Sequence, residues 1–151
     1  YSWAFASASG LEDQGRATTF QNVFSRREFF DRMCQSEAVM GLGAASFEGE
    51  TARNHELASA RANVIAEQVT ETLDRCEAGS DPEVLTVSLG EHQVEVACST
   101  APQRRVIIVA VETQDAGVVL SEALKGAMST PDLIDGLDID DYDLFEVAEF
   151  G

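Results

Sequence analysis

Three cysteines, two histidines and eight acids crowded between residues 132 and 149 are the groups in this chain with the most direct chemistry. Cys34, Cys76 and Cys98 include no CxxC pair, so their spacing does not suit a zinc site. Three thiols allow one disulfide and one leftover. Either Cys76 pairs with Cys98 in an oxidising compartment, both lying at element ends, or all three are ordinary buried thiols. His55 and His92 fall on different elements, with no Ser/His/Asp or Cys/His order around them. They read as a solvated helix start and a strand-end loop. Residues 135–143 are dense in the hard oxygen ligands that calcium takes. Their glycine precedes most of the acids, however, and no alternating series leads to a terminal glutamate. That stretch reads as a solvated or partly disordered acidic tail. The interleaved Leu133, Ile134, Leu137, Ile139, Leu144, Phe145 and Val147 give it a means of docking on a partner or on its own domain. No phosphate-loop or dinucleotide glycine pattern is present, and any pair chosen from 27 carboxylates for glycoside hydrolysis would be a chance pair. The expectation is a chain with no catalytic constellation, no metal and no cofactor.

Acids outnumber bases 27 to 10, for a net charge of -17. Nucleic-acid binding draws its affinity from cations on phosphates, so this surface excludes that partner class. It also disfavours anionic membrane surfaces. Nine of the ten bases are arginine, a bias to which the sequence gives no functional meaning. No apolar run approaches the roughly 20 residues that cross a bilayer. The chain starts at Tyr1, which reads as a fragment of a longer membrane-anchored or secreted protein.

The elements that must position these groups follow from hydrophobic period. Tyr1, Trp3 and Phe5 alternate with small residues, as on one face of a strand. From about Asp13 to Cys34 the period becomes helical, with Phe20, Val23, Phe24, Phe30 and Met33 at three- and four-residue spacings. Residues 38–43 read as a short buried strand and 43–51 as a small-residue loop. Asn54 to Arg75 is the clearest helix, with Asn54 as its N-cap and a stripe of Leu57, Val64, Ile65, Val69 and Leu73. Arg61 sits beside that stripe, where it could simply snorkel to a nearby acid. Residues 84–89 read as a strand, with 94–96 as a brief extension. Residues 105–112 are almost continuously β-branched, which predicts a central strand. A short helix is predicted near 118–128. The order gives an α+β sandwich of βαβαββ type, with helices packed on one face of a mixed sheet. The domain spans 1–112, and 113–151 is an acidic C-terminal extension.

Three separated pieces resemble one known family. Asn54-His55-Glu56-Leu57-Ala58-Ser59-Ala60-Arg61-Ala62 matches a helix that opens Asn-x-x-Leu-Ser-x-x-Arg-Ala. Gly43 and Gly49 stand at the matching distance before it, and Arg104-Arg105-Val106-Ile107-Ile108 matches a closing Arg-Arg-Val-x-Ile. These pieces resemble the OmpA-like domains shared by outer-membrane proteins, peptidoglycan-associated lipoproteins and MotB stator proteins, over roughly residues 1–112. The resemblance implies a non-enzymatic periplasmic module that tethers its parent protein to the cell wall through the peptidoglycan stem peptide. It also implies that Arg61 grips a carboxylate of the diaminopimelate residue with two parallel hydrogen bonds. Asn54 and Leu57 follow as secondary pocket candidates, although Asn54 as a cap needs no ligand.

In the family an aspartate takes the ligand's ammonium group. Its Gly-His-Thr-Asp reads Gly43-Ala44-Ala45-Ser46 here, so Ser46 stands where that aspartate would be. Glu48 and Glu50 are nearby carboxylates, neither at the matching position. The departure keeps a second expectation open, a degenerate fold that serves as an assembly domain without wall binding. Under the first expectation, Ser46→Asp should strengthen binding.

Overall fold

A computed structural model of the chain describes residues 1–77, 79–129 and 137–151. In chain order the elements are β1 (Ser2–Trp3), β2 (Leu11–Asp13), β3 (Arg16–Thr18), α1 (Phe20–Val23), α2 (Arg27–Gln35), β4 (Ala38–Ala45) and α3 (Thr51–Leu73). There follow β5 (Glu83–Glu91), a 3-10 turn (Ala101–Arg104), β6 (Ile107–Val111), α4 (Leu120–Met128), a second 3-10 turn (Ile139–Asp141) and β7 (Glu146–Glu149). The architecture is α+β. A mixed four-stranded sheet has the order β6-β4-β5-β7, and a small antiparallel sheet has the order β1-β2-β3.

β4 and β5 run parallel at the centre, joined by α3, while β6 and β7 flank them antiparallel. Side chains alternate across a strand, so β4 divides its residues between two faces. Met40, Leu42 and Ala44 join Leu85, Val87 and Leu89 of β5 in one core; Val39 packs on the other side with Trp3, Met33, Ile65 and Val69. Between those larger residues the α3 side of β4 carries Gly41 and Gly43. A Cβ on Gly43 would stand 1.9 Å from the carbonyl oxygen of Ala58 and 2.5 Å from the amide of Ala62. Only glycine allows the helix backbone that close.

This contact explains a shift in the helix's buried stripe. The residues turned into the protein are Asn54, Ala58, Arg61, Ala62, Ile65, Ala66, Val69 and Thr72, while Leu57 and Val64 are only half-buried. Large side chains mark a core face in sequence, but a helix lying on glycines needs alanines there. The helix also starts earlier than expected, at Thr51, so Asn54 is not its cap.

The region expected to be one helix from 13 to 34 begins instead as a hairpin. β2 and β3 pair through Gln14 and Gly15, whose φ values of 50° and 78° fit a two-residue turn with both central residues left-handed. The helical period survives only in the two short helices α1 and α2. Their rings chain with the N-terminus: Trp3 meets Phe20 edge-on at 5.7 Å, Phe20 stacks on Phe24, and Phe24 on Phe29. Residues 94–96 form no strand.

β6, expected at the centre, lies at the edge of the four-stranded sheet, with an isolated bridge between Ser2 and Arg105 at its entrance. Its unbroken apolar run has another cause. Val109 and Val111 pack into one core and Val106 and Ile108 into the other, so both faces of an edge strand are covered. The second cover corrects the expectation of helices on one face only. Leu124 and Met128 of α4, with Leu137, Ile139 and Tyr142 of the tail, bury the face opposite α3. β7 then pairs with β5 from Leu85↔Glu149 to Ser88↔Glu146. The described part of the acidic segment therefore finds its apolar partner in its own sheet. Asp132, Leu133, Ile134 and Asp135 of that segment lie outside the described residues.

The expected Cys76–Cys98 pairing is also corrected. Cys34 bonds Cys76 with Cα atoms 5.7 Å apart, and Cys98 is free and exposed. The bridge ties the end of α2 to the turn after α3, a juxtaposition set by the packing of two helices on the same sheet. Two outcomes are expected. Gly43→Ala should cost about 3 kcal/mol in denaturant unfolding, because neither strand nor helix backbone can step aside. Reducing the disulfide should lower stability by about 3 kcal/mol, read as a drop in the guanidinium midpoint, whereas Cys98→Ser should leave that midpoint unchanged.

Candidate functional site

Parallel strands release their chain at one end of a sheet, and the loops gathered there commonly hold ligands. Here that end is where β4 runs out at Ala45 and β5 at Glu91, beside the first turns of α3. Residues 46–50 make the loop from β4 into the helix. Within it the Ser46 hydroxyl donates to the Glu48 carboxylate at 2.8 Å. The Thr100 hydroxyl donates to the same carboxylate at 3.0 Å, and Arg104 donates to the Thr100 oxygen at 2.6 Å. Two hydroxyls thus fix one carboxylate. Among the described residues no arginine or lysine lies within salt-bridge distance of it.

Asn54 lies in the first turn of α3 and is 6 % exposed. Its amide donates to Glu91 Oε2 at 2.6 Å, to the Glu48 carbonyl at 2.9 Å and to the Ser46 carbonyl at 3.4 Å. Instead of capping the helix it clamps the 46–50 loop to the end of β5. Glu50 occupies the cap position and makes no side-chain cap bond. Leu57, one turn along, is half-buried on the helix flank.

Arg61 is 1 % exposed and makes three bonds to main-chain oxygens: Nε to Ser7 at 2.8 Å, Nη1 to Ala44 at 2.7 Å and Nη2 to Ala4 at 3.2 Å. Its guanidinium lies 5.6 Å from the centre of the Trp3 ring. Burial, and then the neighbouring Arg104, pull its pKa down to about 10, so it stays charged at neutral pH. Arg104 donates Nε to the Trp3 carbonyl at 2.7 Å and anchors the entrance to β6.

The tail latches onto the same end of the sheet. His55 contacts Asp143 at 2.6 Å, and the other oxygen of that carboxylate accepts the Glu91 amide at 2.8 Å. His92 meets Tyr142 edge-on at 4.8 Å, and Tyr142 donates to the Gln103 carbonyl at 2.7 Å while burial pushes its pKa up. The two histidines, read from sequence as solvated, hold the tail in place. Thr100, Glu91 and Asp143 had no signal in the sequence, since each acts through a partner 37 to 88 residues away.

The arrangement offers a fixed carboxylate and a buried arginine at one strand end. Two open grooves of about 700 Å³ each lie elsewhere among the described residues. One runs between Gln14 and Pro102 beside β6, the other past the disulfide between Phe30 and Arg75. No protein-family model matches this chain, and neither a curated protein nor a solved structure matches it.

Arg61→Ala would remove a donor from three carbonyl oxygens and open a cavity over Trp3. It is expected to cost at least about 3 kcal/mol in denaturant unfolding, a loss that a residue serving only a ligand would not produce.

Proposed function

We propose that this chain is a non-enzymatic cell-envelope module that binds the peptidoglycan stem peptide and tethers its parent protein to the wall. The reading starts from the resemblance to OmpA-like domains and meets its main difficulty at Ser46, which cannot neutralise an ammonium group. The observation that carries it past that point is the Ser46–Glu48 hydrogen bond. It brings a carboxylate to the residue that replaces the family aspartate, on a loop leading into the helix that carries Arg61. Glu48 is oriented by two hydroxyls and has no cationic side chain as partner among the described residues, which leaves it able to take a ligand ammonium. Arg61 would supply the matching cation for a carboxylate.

The Cys34–Cys76 disulfide supports a periplasmic or otherwise extracytoplasmic location, because structural disulfides persist in oxidising compartments. The exposed acids of β7, Glu146 and Glu149, remain a surface for an envelope partner. A second reading, an assembly domain that no longer binds the wall, is favoured by one observation. Each of the three Arg61 nitrogens already donates to one of the chain's own carbonyl oxygens.

Co-sedimentation with an excess of diaminopimelate-type peptidoglycan tests the proposal. The wild type should sediment. Glu48→Gln should lose a charge-assisted contact, on the order of ten- to a hundred-fold in affinity. Ser46→Asp should now weaken binding rather than strengthen it, since it replaces a hydroxyl donor by a second carboxylate beside Glu48. Wild type remaining in the supernatant would transfer the case to the assembly reading. Equal sedimentation of Glu48→Gln would remove Glu48 from the site.

A further inference from the structure

We propose that residues 4–9 form a displaceable strap that holds Arg61 in place of a ligand carboxylate, so that the site opens only when the strap lifts. The inference rests on the wall-binding reading and concerns the regulation of that same site.

Its first ground is the geometry of the guanidinium. Nε and Nη2 are the two parallel donors of one edge, one of the two that can grip both oxygens of a carboxylate. Here that edge is taken by two carbonyl oxygens of the strap, those of Ser7 and Ala4. Nη1 points to Ala44 at the end of β4, so the arginine stays anchored in the domain whether the strap is present or not. The strap therefore imitates a bidentate ligand at one of the guanidinium's two carboxylate-gripping edges.

The second ground is that the closed strap carries costs. Ala6 is held at φ 53°, a left-handed conformation that alanine adopts only at a penalty. The indole nitrogen of Trp3, just before the strap, is buried with no hydrogen-bond partner among the described residues. Phe5 is 61 % exposed, its ring about 6 Å from the Arg104 guanidinium. A segment that existed only to stabilise the fold would gain nothing from a strained alanine, an orphaned donor and an exposed phenylalanine within four residues.

The strap is also closed on itself. The Ala4 amide donates to the Gly10 carbonyl at 2.9 Å, and the Ser7 hydroxyl accepts from the amides of Ser9 and Gly10. It can swing as a unit once the Arg61 edge lets go. Trp3 reports that motion, because it is the only tryptophan, is fully buried and lies under Arg61.

The test uses the full chain with Ala6→Gly, which relieves the left-handed penalty, and Ala6→Val, whose β-branch raises it. Two readouts are taken: acrylamide quenching of Trp3 without ligand, and calorimetric titration with a soluble diaminopimelate-containing muropeptide. Quenching should rise in the order Ala6→Gly, wild type, Ala6→Val, and affinity should rise in the same order. Each step should be about fivefold or more, because apparent affinity scales with the open fraction. Ala6→Gly introduces no steric demand, so its comparison with wild type stands even if Ala6→Val folds poorly. Equal quenching and equal affinity across the chains that fold would overturn the strap and leave wall binding intact. Quenching in the expected order with no muropeptide binding to any chain would support the strap and overturn the wall reading.

Discussion

Helix α3 lies so close to β4 that the carbonyl oxygen of Ala58 fills the space a side chain on Gly43 would need. That contact sets the geometry of everything around it. It turns Ala58, Ala62 and Ala66 toward the sheet, in register with Gly41 and Gly43. It also draws Asn54 and Arg61 inward, because they lie on the same stripe of the helix. Two polar residues in a buried stripe must find partners or lose the cost of desolvation, and both are satisfied by main-chain oxygens at the end of β4 and in the loops beyond it. The polar network at the strand ends is thus a consequence of close helix–sheet packing.

The opposite face of the sheet obeys a different rule. β4 and β5 present Met40, Leu42, Leu85, Val87 and Leu89 there, an apolar surface too large to leave in water. α4 and the tail cover it, and β7 caps the β5 edge. An acidic segment can do this because its apolar residues alternate with carboxylates: Leu137, Ile139 and Tyr142 go in while Glu146 and Glu149 stay out. Charge on the outer strand also guards an open sheet edge against pairing with another chain. The same tail brings Asp143 to His55, so the second layer and the candidate site are held by one latch.

Several features were legible in the residues themselves. The strand readings at 38–43 and 84–89 and the helix reading from Asn54 to about Arg75 found the segments that become β4, β5 and α3, because each buries a face with the period of its own backbone, although the central strand was expected at 105–112. The α+β class followed from the element order, and a short helix was read near 118–128, where α4 spans Leu120–Met128. Gln14-Gly15 between polar residues carried a hairpin signal that the helical spacing of the later phenylalanines obscured. Ser46, with carboxylates two and four residues beyond it, was equally legible.

Tertiary structure alone decided the rest, and in each case because the deciding partner is remote in the chain. Which thiols pair depended on α2 and α3 resting side by side, which put Cys34 next to Cys76 and left Cys98 in an exposed loop. β6 reads as central because both its faces are apolar; its edge position depends on what covers those faces, α4 on one side and the N-terminal aromatic cluster on the other. Sequence identified Glu48 as a nearby acid, but only the fold brought the Ser46 and Thr100 hydroxyls to it. Sequence placed Arg61 on a helix beside an apolar stripe. The fold decided that its donors meet the carbonyl oxygens of Ala4, Ser7 and Ala44, because hydrogen bonding to the main chain depends on where a backbone passes and not on which residues it carries.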